Sequence, residues 1–270
     1  MTKKMQKLIV AGMAAIFAVA VMAGCGSDSA QKQGPAKSNK LVVGLNPTYE
    51  PFEFQGNDGI VQGFDVDIIN AVAKKMGKEV EFKSMPFDTL IPALQTKELD
   101  VIDSGMIITK ARSEKVAFLS PHFQTDLSIV TKDNTITTPQ ALEGKKIAVQ
   151  MGTAPADIAR KINGAQVTEY DHGSYALLAL KNNQADAVII DMAVAKHYTI
   201  IHPEDKFEIF KYPNTGTYIA MSVHKENNEL KAAMNKAIAE IKADGTLDKI
   251  YQKWFQMNAP KDLPLEFTGK

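Results

Sequence analysis

The sequence predicts an α/β fold built from parallel sheets with helices packed against them. Short apolar runs, such as residues 41–45 and 187–190, have the length of buried strands, and segments such as 64–76 repeat apolar side chains at helical spacing. The two patterns alternate along the chain, which is typical of βαβ units. A second strand–helix series begins after Lys132, so the chain can form one large domain or two small lobes.

Turn and capping residues place the individual elements. Asp88 is expected to cap a helix that ends near Gln95, and residues 109–116 are expected to form a short helix. Residues 146–150 are predicted to form a strand, and the turn at 152–155 opens a helix. The other predicted strands are 80–83, 101–103, 127–132, 167–170, 207–210 and 218–223, and the other predicted helices are 175–182, 192–200, 230–243 and 246–255.

The N-terminus predicts a secretory signal. Three lysines precede an apolar run of about 16 residues, which is shorter than the roughly 20 that cross a bilayer. Cys25 is the only cysteine and follows Ala-Gly, as in a bacterial lipobox, although Met22 stands where that motif usually has Leu. We expect residues 1–24 to be removed and Cys25 to be lipidated, with a plain signal peptide cut after Ala23 as the alternative. Residues 25–39 are small and polar, as in a flexible tether.

Composition and motifs exclude several classes of function. Removal of the signal takes three lysines and no acidic residue from a neutral chain, which leaves a net charge of −3 and argues against a nucleic-acid partner. The five histidines form no helical pair and have no cysteine partner, so no zinc site is predicted. The chain has no Gly-x-Ser-x-Gly elbow, no P-loop and no Gly-x-Gly-x-x-Gly turn. We therefore expect no cofactor and no metal.

Several features suggest a site for a small zwitterion, and each has an ordinary structural alternative. The turn after strand 146–150 aims backbone N–H groups at one point, which suits a carboxylate but also occurs in any βα turn. Arg112 is expected either to bind a carboxylate with two parallel hydrogen bonds or to lie on a helix surface. Asp191 follows a strand, where it can pair with an ammonium group or cap the next helix. Tyr49 and Phe87 are either core residues or the walls of a cleft.

A set of short motifs extends this pattern along the chain. They are LVVG (41–44), YEPFEF (49–54), GFDVD (63–67), IPALQ (91–95), SGM (104–106), TKAR (109–112), LEGKKIAV (142–149), GT (152–153), ADAV (185–188), DGT (244–246) and IYQKWF (250–255). Together they closely resemble the polar amino-acid binding proteins of ABC importers, solute-binding protein family 3. The resemblance covers residues 41–255, essentially the whole mature domain, and the combination of motifs is highly specific.

This resemblance implies a two-lobe, type II periplasmic-binding-protein fold. Each lobe would be a mixed sheet flanked by helices, and the chain would cross between the lobes twice, near residues 128–132 and 212–217. The implied limits are 40–128 plus 217–258 for lobe 1, 133–211 for lobe 2 and 259–270 for a C-terminal tail. The final two helices, which the pattern alone assigns to neither lobe, would then belong to lobe 1.

The resemblance also implies roles for individual residues. Arg112 corresponds to the arginine that binds the ligand carboxylate, with assistance from Thr153. Asp191 corresponds to the acid that holds the α-ammonium group, and Gly105 offers that group a backbone carbonyl. The remaining implied site residues are Tyr49 and Phe87, which flank the ligand side chain, Asn46 and Gln150, which read its polar end, and Ile107, which stands where relatives carry Ser or Thr.

The polar end of the implied site predicts a neutral ligand. Asn46 stands where an acid is common, and a buried cationic side chain would need a carboxylate partner, although Glu50 or Glu53 could reach it. An acidic side chain would need an additional cation, and none is evident. Glutamine or another neutral polar amino acid is therefore expected, with arginine or lysine as the alternative.

The expected function is that of a monomeric binding protein of the cell envelope. It would be held on the membrane by lipid on Cys25, would face the periplasm or cell exterior, and would deliver a free amino acid to an ABC permease. An enzyme on the same fold, similar to cyclohexadienyl dehydratase, is the other alternative. Asn46, Ile107 and Ile190 offer no proton-transfer group at the implied pocket positions, which argues against that enzyme.

Overall fold

The computed structural model describes residues 39–264. These residues fold around two five-stranded sheets. The predicted signal segment and Cys25 lie outside the described residues, as does most of the predicted tether. Within residues 39–264, no helix combines the length and the apolar composition that a membrane span requires.

The secondary structure alternates as the apolar pattern predicts. The strands are β1 (Lys40–Leu45), β2 (Thr48–Tyr49), β3 (Glu53–Gln55), β4 (Val61–Gln62), β5 (Glu79–Ser84), β6 (Val101–Ile102), β7 (Val116–Phe118), β8 (Phe123–Thr125), β9 (Leu127–Thr131), β10 (Lys146–Gln150), β11 (Gln166–Tyr170), β12 (Ala187–Asp191), β13 (Glu208–Lys211), β14 (Thr217–Ile219) and β15 (Ser222–His224). The α-helices are α1 (Phe64–Lys75), α2 (Leu90–Gln95), α3 (Lys110–Ser113), α4 (Ala154–Ala159), α5 (Gly173–Lys181), α6 (Met192–Ile201), α7 (Asn228–Ala243) and α8 (Thr246–Phe255). Short 3₁₀ helices lie at Phe87–Thr89, Gln140–Leu142 and Pro203–Asp205.

The first lobe is built around the sheet β5-β1-β6-β15-β7. Strands β5, β1 and β6 are parallel, whereas β15 runs antiparallel to both β6 and β7. Helix α1 covers this sheet with a buried apolar face, carries acidic residues in its first turn and ends before Gly77, which has a positive φ. Helices α7 and α8 pack against α1, so the end of the chain returns to the first lobe.

The second lobe is built around the sheet β11-β10-β12-β9-β13. Its two central strands, β12 and β9, are buried at every position, which explains their nearly continuous apolar sequences. Strands β11, β10 and β12 are parallel, while β9 pairs antiparallel with both β12 and β13. The predicted fold class, α/β with two lobes and mixed sheets, is therefore confirmed.

The two crossings between the lobes lie side by side. Strands β8 and β14 pair antiparallel with each other, and Thr125 lies opposite Thr217 at the end of that ladder. Because every residue of β9 pairs within the second sheet, we place the first crossing at Thr125–Asp126, earlier than the expected 128–132. The second crossing, between β13 and β14, falls at 212–216.

The structure differs from the sequence prediction in several short elements. Asp88 does not cap a helix: the chain enters α2 through the 3₁₀ helix Phe87–Thr89, which follows Pro86. The expected helix at 109–116 is only the four-residue α3, because Val116 already belongs to the apolar strand β7. The expected strand at 218–223 is two strands, β14 and β15, in different sheets.

Candidate functional site

A cleft between the two lobes contains a cavity of about 320 Å³, its open mouth included. The residues that line the cavity are Asn46, Tyr49, Glu53, Phe87, Ser104, Gly105, Ile107, Arg112, Gln150, Thr153, Ala154 and Pro155. Eight of the nine residues expected at the site are in this set, and the ninth, Asp191, is not.

Arg112 places a buried positive charge at one end of the cavity. Its backbone N–H donates to the Thr109 hydroxyl, which caps the short helix α3, and only 9% of the residue is exposed. The guanidinium donates to Ile107 O at 2.6 Å and to Gly152 O, on the opposite lobe, at 3.1 Å. Burial lowers the pKa of Arg112 to about 10, so the group remains cationic at neutral pH. The ring centroid of Phe87 lies 5.2 Å from the guanidinium carbon, within the range of a cation–π contact.

Thr153 lies at the start of α4, where strand β10 enters the cleft. Its hydroxyl accepts from Ala156 N–H and donates to Gln150 O at 2.6 Å, so the side chain caps the helix and fixes the preceding turn. Gly152, with φ near 72°, allows this turn to lie against Asp88 of the first lobe. The predicted strand–turn–helix arrangement at residues 146–155 is therefore confirmed.

Asp191 caps α6, which is one of the two roles left open by the sequence. One carboxylate oxygen accepts from Ala193 N–H at 2.8 Å and the other from the Thr125 hydroxyl at 2.7 Å. Its backbone N–H lies 3.4 Å from the Tyr49 hydroxyl, which reaches across from the first lobe. Burial raises the pKa of Asp191 to about 7. Because this folded pKa lies above the unfolded value, the contribution of Asp191 to stability is present at low pH and is lost as the pH rises through about 7.

A buried acidic network lies behind Gly105. Asp65 accepts from Gly105 N–H at 2.7 Å and contacts His122 at 3.1 Å, while Glu53 accepts from the Ser104 hydroxyl at 2.9 Å. Burial raises the pKa of Glu53 well above its usual value, and the nearby charge of Asp65 raises it further. Asp65 fixes the Gly105 backbone, and the raised pKa of Glu53 favours the neutral form of that carboxyl group.

Asp103 lies in the same network and, like Glu53, is an acidic residue buried away from water. Burial raises the pKa of Asp103 well above its usual value, and the nearby charge of Asp65 raises it further. One carboxylate oxygen from each of Asp65 and Asp103 and one ring nitrogen of His122 lie within 4.8 Å of one another. Burying several acidic groups together is costly, and the raised pKa of Asp103 is a consequence of that cost.

Tyr49 forms the wall that the two lobes share. β-carbons built at Gly105 in the first lobe and at Gly173 in the second would lie 2.9 Å and 3.1 Å from its ring, so both glycines permit close approach. Burial raises the pKa of the Tyr49 hydroxyl well above its usual value, and the Asp191 carboxylate adds to this effect. The ring is therefore a neutral, closely packed surface for a ligand side chain.

Asn46 adds a polar group to the cavity lining near Glu53, because the Ser104 hydroxyl accepts from Asn46 N–H and donates to the Glu53 carboxyl group. Asn46 and Gln150 line the cavity, and the Gln150 amide donates to Asn46 Oδ1 at 3.4 Å and to Asp171 O at 3.2 Å. His172, from the second lobe, approaches the Asn46 amide from behind.

Sequence reasoning did not select Ser104 or His172, and it named Glu53 only as a group that could reach the ligand. Ser104 was quoted only inside the SGM motif, and its hydroxyl accepts from Asn46 N–H. His172 is distant in sequence from its partners, so no local pattern indicated it. These residues become visible only when strands from both lobes are placed together.

The family assignment follows from a match that covers most of the chain. The family model of bacterial extracellular solute-binding proteins, family 3, matches residues 41–257. The chain belongs to this family. The match includes both sheets and the whole of the cleft between them.

Individual relatives agree with this assignment. The ABC transporter arginine-binding protein 1 of Escherichia coli K12 is 32% identical over 255 residues, which cover 93% of this chain and 99% of that protein. A solved structure of an ancestral arginine-binding protein bound to arginine is 40% identical with a TM-score of 0.77, covering 80% of this chain and 98% of the other. The same comparison with an ancestral arginine-binding protein bound to glutamine gives 40% identity and a TM-score of 0.76, with coverage of 81% and 99%.

The family 3 fold is the type II arrangement implied by the sequence motifs. Its relatives are named as transport binding proteins rather than as enzymes, and they act outside the cytoplasm. The protein is therefore an extracytoplasmic solute-binding protein and not an enzyme.

Proposed function

We propose that this protein captures a free L-amino acid between its lobes and delivers it to an ABC permease. The observation that carries the proposal is the polarity of the cavity: the buried Arg112 cation lies at one end, and buried acidic groups lie around Gly105. The α-carboxylate of a zwitterion matches the Arg112 cation, and its α-ammonium group matches the acceptor oxygens near Gly105. The names of the relatives, which include arginine-, histidine- and cystine-binding proteins, support an amino acid as the ligand.

Within this site, Arg112 binds the α-carboxylate with the help of the turn at Thr153. A guanidinium offers five donors, and only two of its hydrogen bonds are directed at backbone carbonyls here. Asp191 and the carbonyl of Gly105 hold the α-ammonium group. Each oxygen of Asp191 retains acceptor capacity beyond its present hydrogen bond.

We propose a neutral polar ligand, with glutamine as the leading candidate. Asn46 and Gln150 offer amide donors and acceptors to a ligand side chain, and Glu53 is the acidic residue that lines the same cavity. A related ancestral protein has been solved with arginine and with glutamine, so the family fold accommodates both.

A cationic amino acid is the second candidate, and Glu53 is the observation that favours it. This carboxyl group lines the cavity, and its Oε2 atom is buried without a hydrogen-bond partner. Its other oxygen is held by Ser104 beside Gly105, at the end assigned to the α-ammonium. The same Ser104 hydroxyl accepts from Asn46 N–H, so Glu53 lies near both the α-ammonium position and the residue that contacts the ligand side chain.

The proposed mechanism is closure of the lobes about the paired strands β8 and β14. Ligand groups that contact both lobes bind the closed form more tightly than the open form, and this differential affinity drives closure. The protein would remain at the membrane through lipid on Cys25, and it would act as a monomer. The lipid attachment rests on the sequence motif at Cys25, which lies outside the described residues.

A thermal-shift screen against the common amino acids tests the proposed ligand class. We expect glutamine to raise the melting temperature by several degrees, because ligand at 100 times its Kd stabilises the folded form by about 2.7 kcal/mol. Arginine and lysine should give smaller shifts at the same concentration. A larger shift with arginine than with glutamine would contradict the neutral ligand, and no shift with any amino acid would contradict amino-acid capture itself.

A further inference from the structure

Thr125 connects the crossing between the lobes to Asp191, the acid assigned to the α-ammonium group. It ends strand β8, where it pairs with Thr217 of β14, and only 6% of it is exposed. Its hydroxyl donates to Asp191 Oδ2 at 2.7 Å, and Asp191 is fully buried. A second acceptor, Asp126 O, lies at 3.2 Å. The hydroxyl has a single proton, and the carboxylate is both the nearer and the stronger acceptor for it.

The backbone fixes the position of that hydroxyl. Asp126 O accepts from Met192 N–H at 2.9 Å, and Leu127 pairs with Asp191 in the β9–β12 ladder. Each of residues 125–127 therefore contacts the junction between β12 and α6. These contacts involve no ligand, so the Asp191 carboxylate is oriented before an amino acid arrives.

The Asp191 carboxylate is held through both of its oxygens. Oδ1 accepts from Ala193 N–H at 2.8 Å, within the helix that Asp191 caps, and Oδ2 accepts from the Thr125 side chain. Burial raises the pKa of Asp191 to about 7, and the hydrogen bond from Thr125 opposes this rise because it favours the ionised form. Both forms of Asp191 are therefore accessible near neutral pH, and only the ionised form makes a charge-assisted contact with an ammonium group.

Within the described part of the chain, hydrogen-bond donors rather than a paired cation favour the ionised form of Asp191. The Tyr49 hydroxyl lies 3.4 Å from Asp191 N and is neutral, because burial raises its pKa well above the usual value. The charge of Asp65, in α1, disfavours ionisation of Asp191. Lys211, across β9, pairs with Asp126 at 2.7 Å. Removal of the Thr125 hydroxyl should therefore shift Asp191 toward its neutral form.

We propose that Thr125 is a positioning residue: its hydroxyl holds the Asp191 carboxylate ionised and oriented for the α-ammonium group of the ligand. This inference rests on the proposed amino-acid function and deepens it, because it assigns part of the ammonium recognition to a residue of the crossing that does not line the cavity. Without the hydroxyl, binding should weaken most at acidic pH, where Asp191 is more often neutral. At alkaline pH Asp191 is ionised with or without the hydroxyl, and the difference should nearly disappear.

Calorimetric titration at two pH values tests the inference with glutamine and with arginine, which share the α-ammonium group. Thr125→Val keeps the shape of the side chain without its hydroxyl. We expect it to lower the affinity for both ligands about tenfold at about pH 6, the factor that corresponds to one pKa unit, and less than about threefold at about pH 8.5.

Two further variants are the controls for this experiment. Thr125→Ser retains the hydroxyl and should restore the affinity of the unsubstituted protein at both pH values. Thr131→Val removes another buried hydroxyl, at the opposite end of β9, which donates to Asp186 O at 2.8 Å. Because that acceptor is a backbone carbonyl, both affinities and their pH dependence should be unchanged.

The pH dependence separates this role of Thr125 from a purely structural one. If the hydroxyl only supports the fold, Thr125→Val loses affinity by the same factor at both pH values. That result, or unchanged affinity at about pH 6, would overturn the inference. Melting temperatures of the ligand-free variants show whether the fold is retained, and Thr125→Ala, which also lacks the hydroxyl, replaces Thr125→Val if the latter does not fold. Failure of the proposed function is a separate outcome, because the unsubstituted protein would then bind neither amino acid at either pH.

Discussion

Substitution Arg112→Ala is expected to weaken amino-acid binding by at least tenfold, and it should do so for every ligand. The guanidinium is buried beside the cavity and remains charged at neutral pH. Each hydrogen bond between a charged group and its partner contributes about 1.5–3 kcal/mol, so loss of the fork toward a carboxylate removes more than one factor of ten. Calorimetric titration with glutamine measures the change directly.

The structure also defines a control and a contrary result for Arg112. Arg160→Ala removes an arginine that is 45% exposed and pairs with Asp157 and Glu169, so ligand affinity should not change. Arg112→Lys keeps the charge but not the planar guanidinium, so its ligand affinity should lie between those of Arg112→Ala and Arg160→Ala. Equal ligand affinity in Arg112→Ala and in the unsubstituted protein would show that this cation does not bind the carboxylate.

Substitution Gly152→Ala is the second change with a large expected effect, because it opposes closure. A β-carbon at this position would lie 2.7 Å from Asp88 Cβ and 3.0 Å from Asp88 Cα, across the cleft. Atoms at such distances overlap, so the lobes must stay further apart, and the overlap disappears when the cleft opens. We expect glutamine affinity to fall by at least about tenfold, because the ligand can no longer contact both lobes at once.

Gly144→Ala is a matched control for backbone strain. Gly144 has φ near 70°, close to the 72° of Gly152, but a β-carbon there would meet nothing within 4 Å. Both variants carry the cost of a positive φ, about 1 kcal/mol, and their ligand-free melting temperatures should be similar. Only Gly152→Ala should lose affinity. Equal affinities of the two variants would mean that ligand binding does not require this approach of the lobes.

Local sequence signals predicted those parts of the site whose residues lie close together in the sequence. Strand β10 follows from an apolar run, and the helix α4 was expected to begin at the turn 152–155 directly after that strand. The hairpin strands β2, β3 and β4 were not predicted, because strands of two or three residues are too short to show a period. Their geometry nevertheless places Tyr49 against the opposite lobe.

Contacts between distant segments account for what the sequence could not predict. The Asp191 side chain is held by Thr125 at the crossing between the lobes, whereas the sequence indicated only a helix cap or an ammonium partner. His172 lies more than 120 residues from Asn46 and Thr48, with no motif at either end. Glu53 was named from its position, but its buried hydrogen bond with Ser104 depends on how β3 packs against the loop after β6.

The central claim is that opposite charges at the cleft hold the two ends of one zwitterion, and Asp191 allows the most direct test. The measurement is calorimetric titration of the unsubstituted protein and of Asp191→Asn with two ligands, glutamine and glutaramic acid, which lacks only the α-ammonium group. Asn preserves an acceptor for the α6 cap, so the fold should be retained. Asp171→Asn, an exposed acid at a neighbouring strand end, serves as the control.

The account predicts that Asp191→Asn weakens glutamine by at least about tenfold and leaves glutaramic acid nearly unchanged, since a charge-assisted contact exists only when both partners are present. If Asp191→Asn lowered the affinity for both ligands by the same factor, or did not lower the affinity for glutamine, the account would be contradicted.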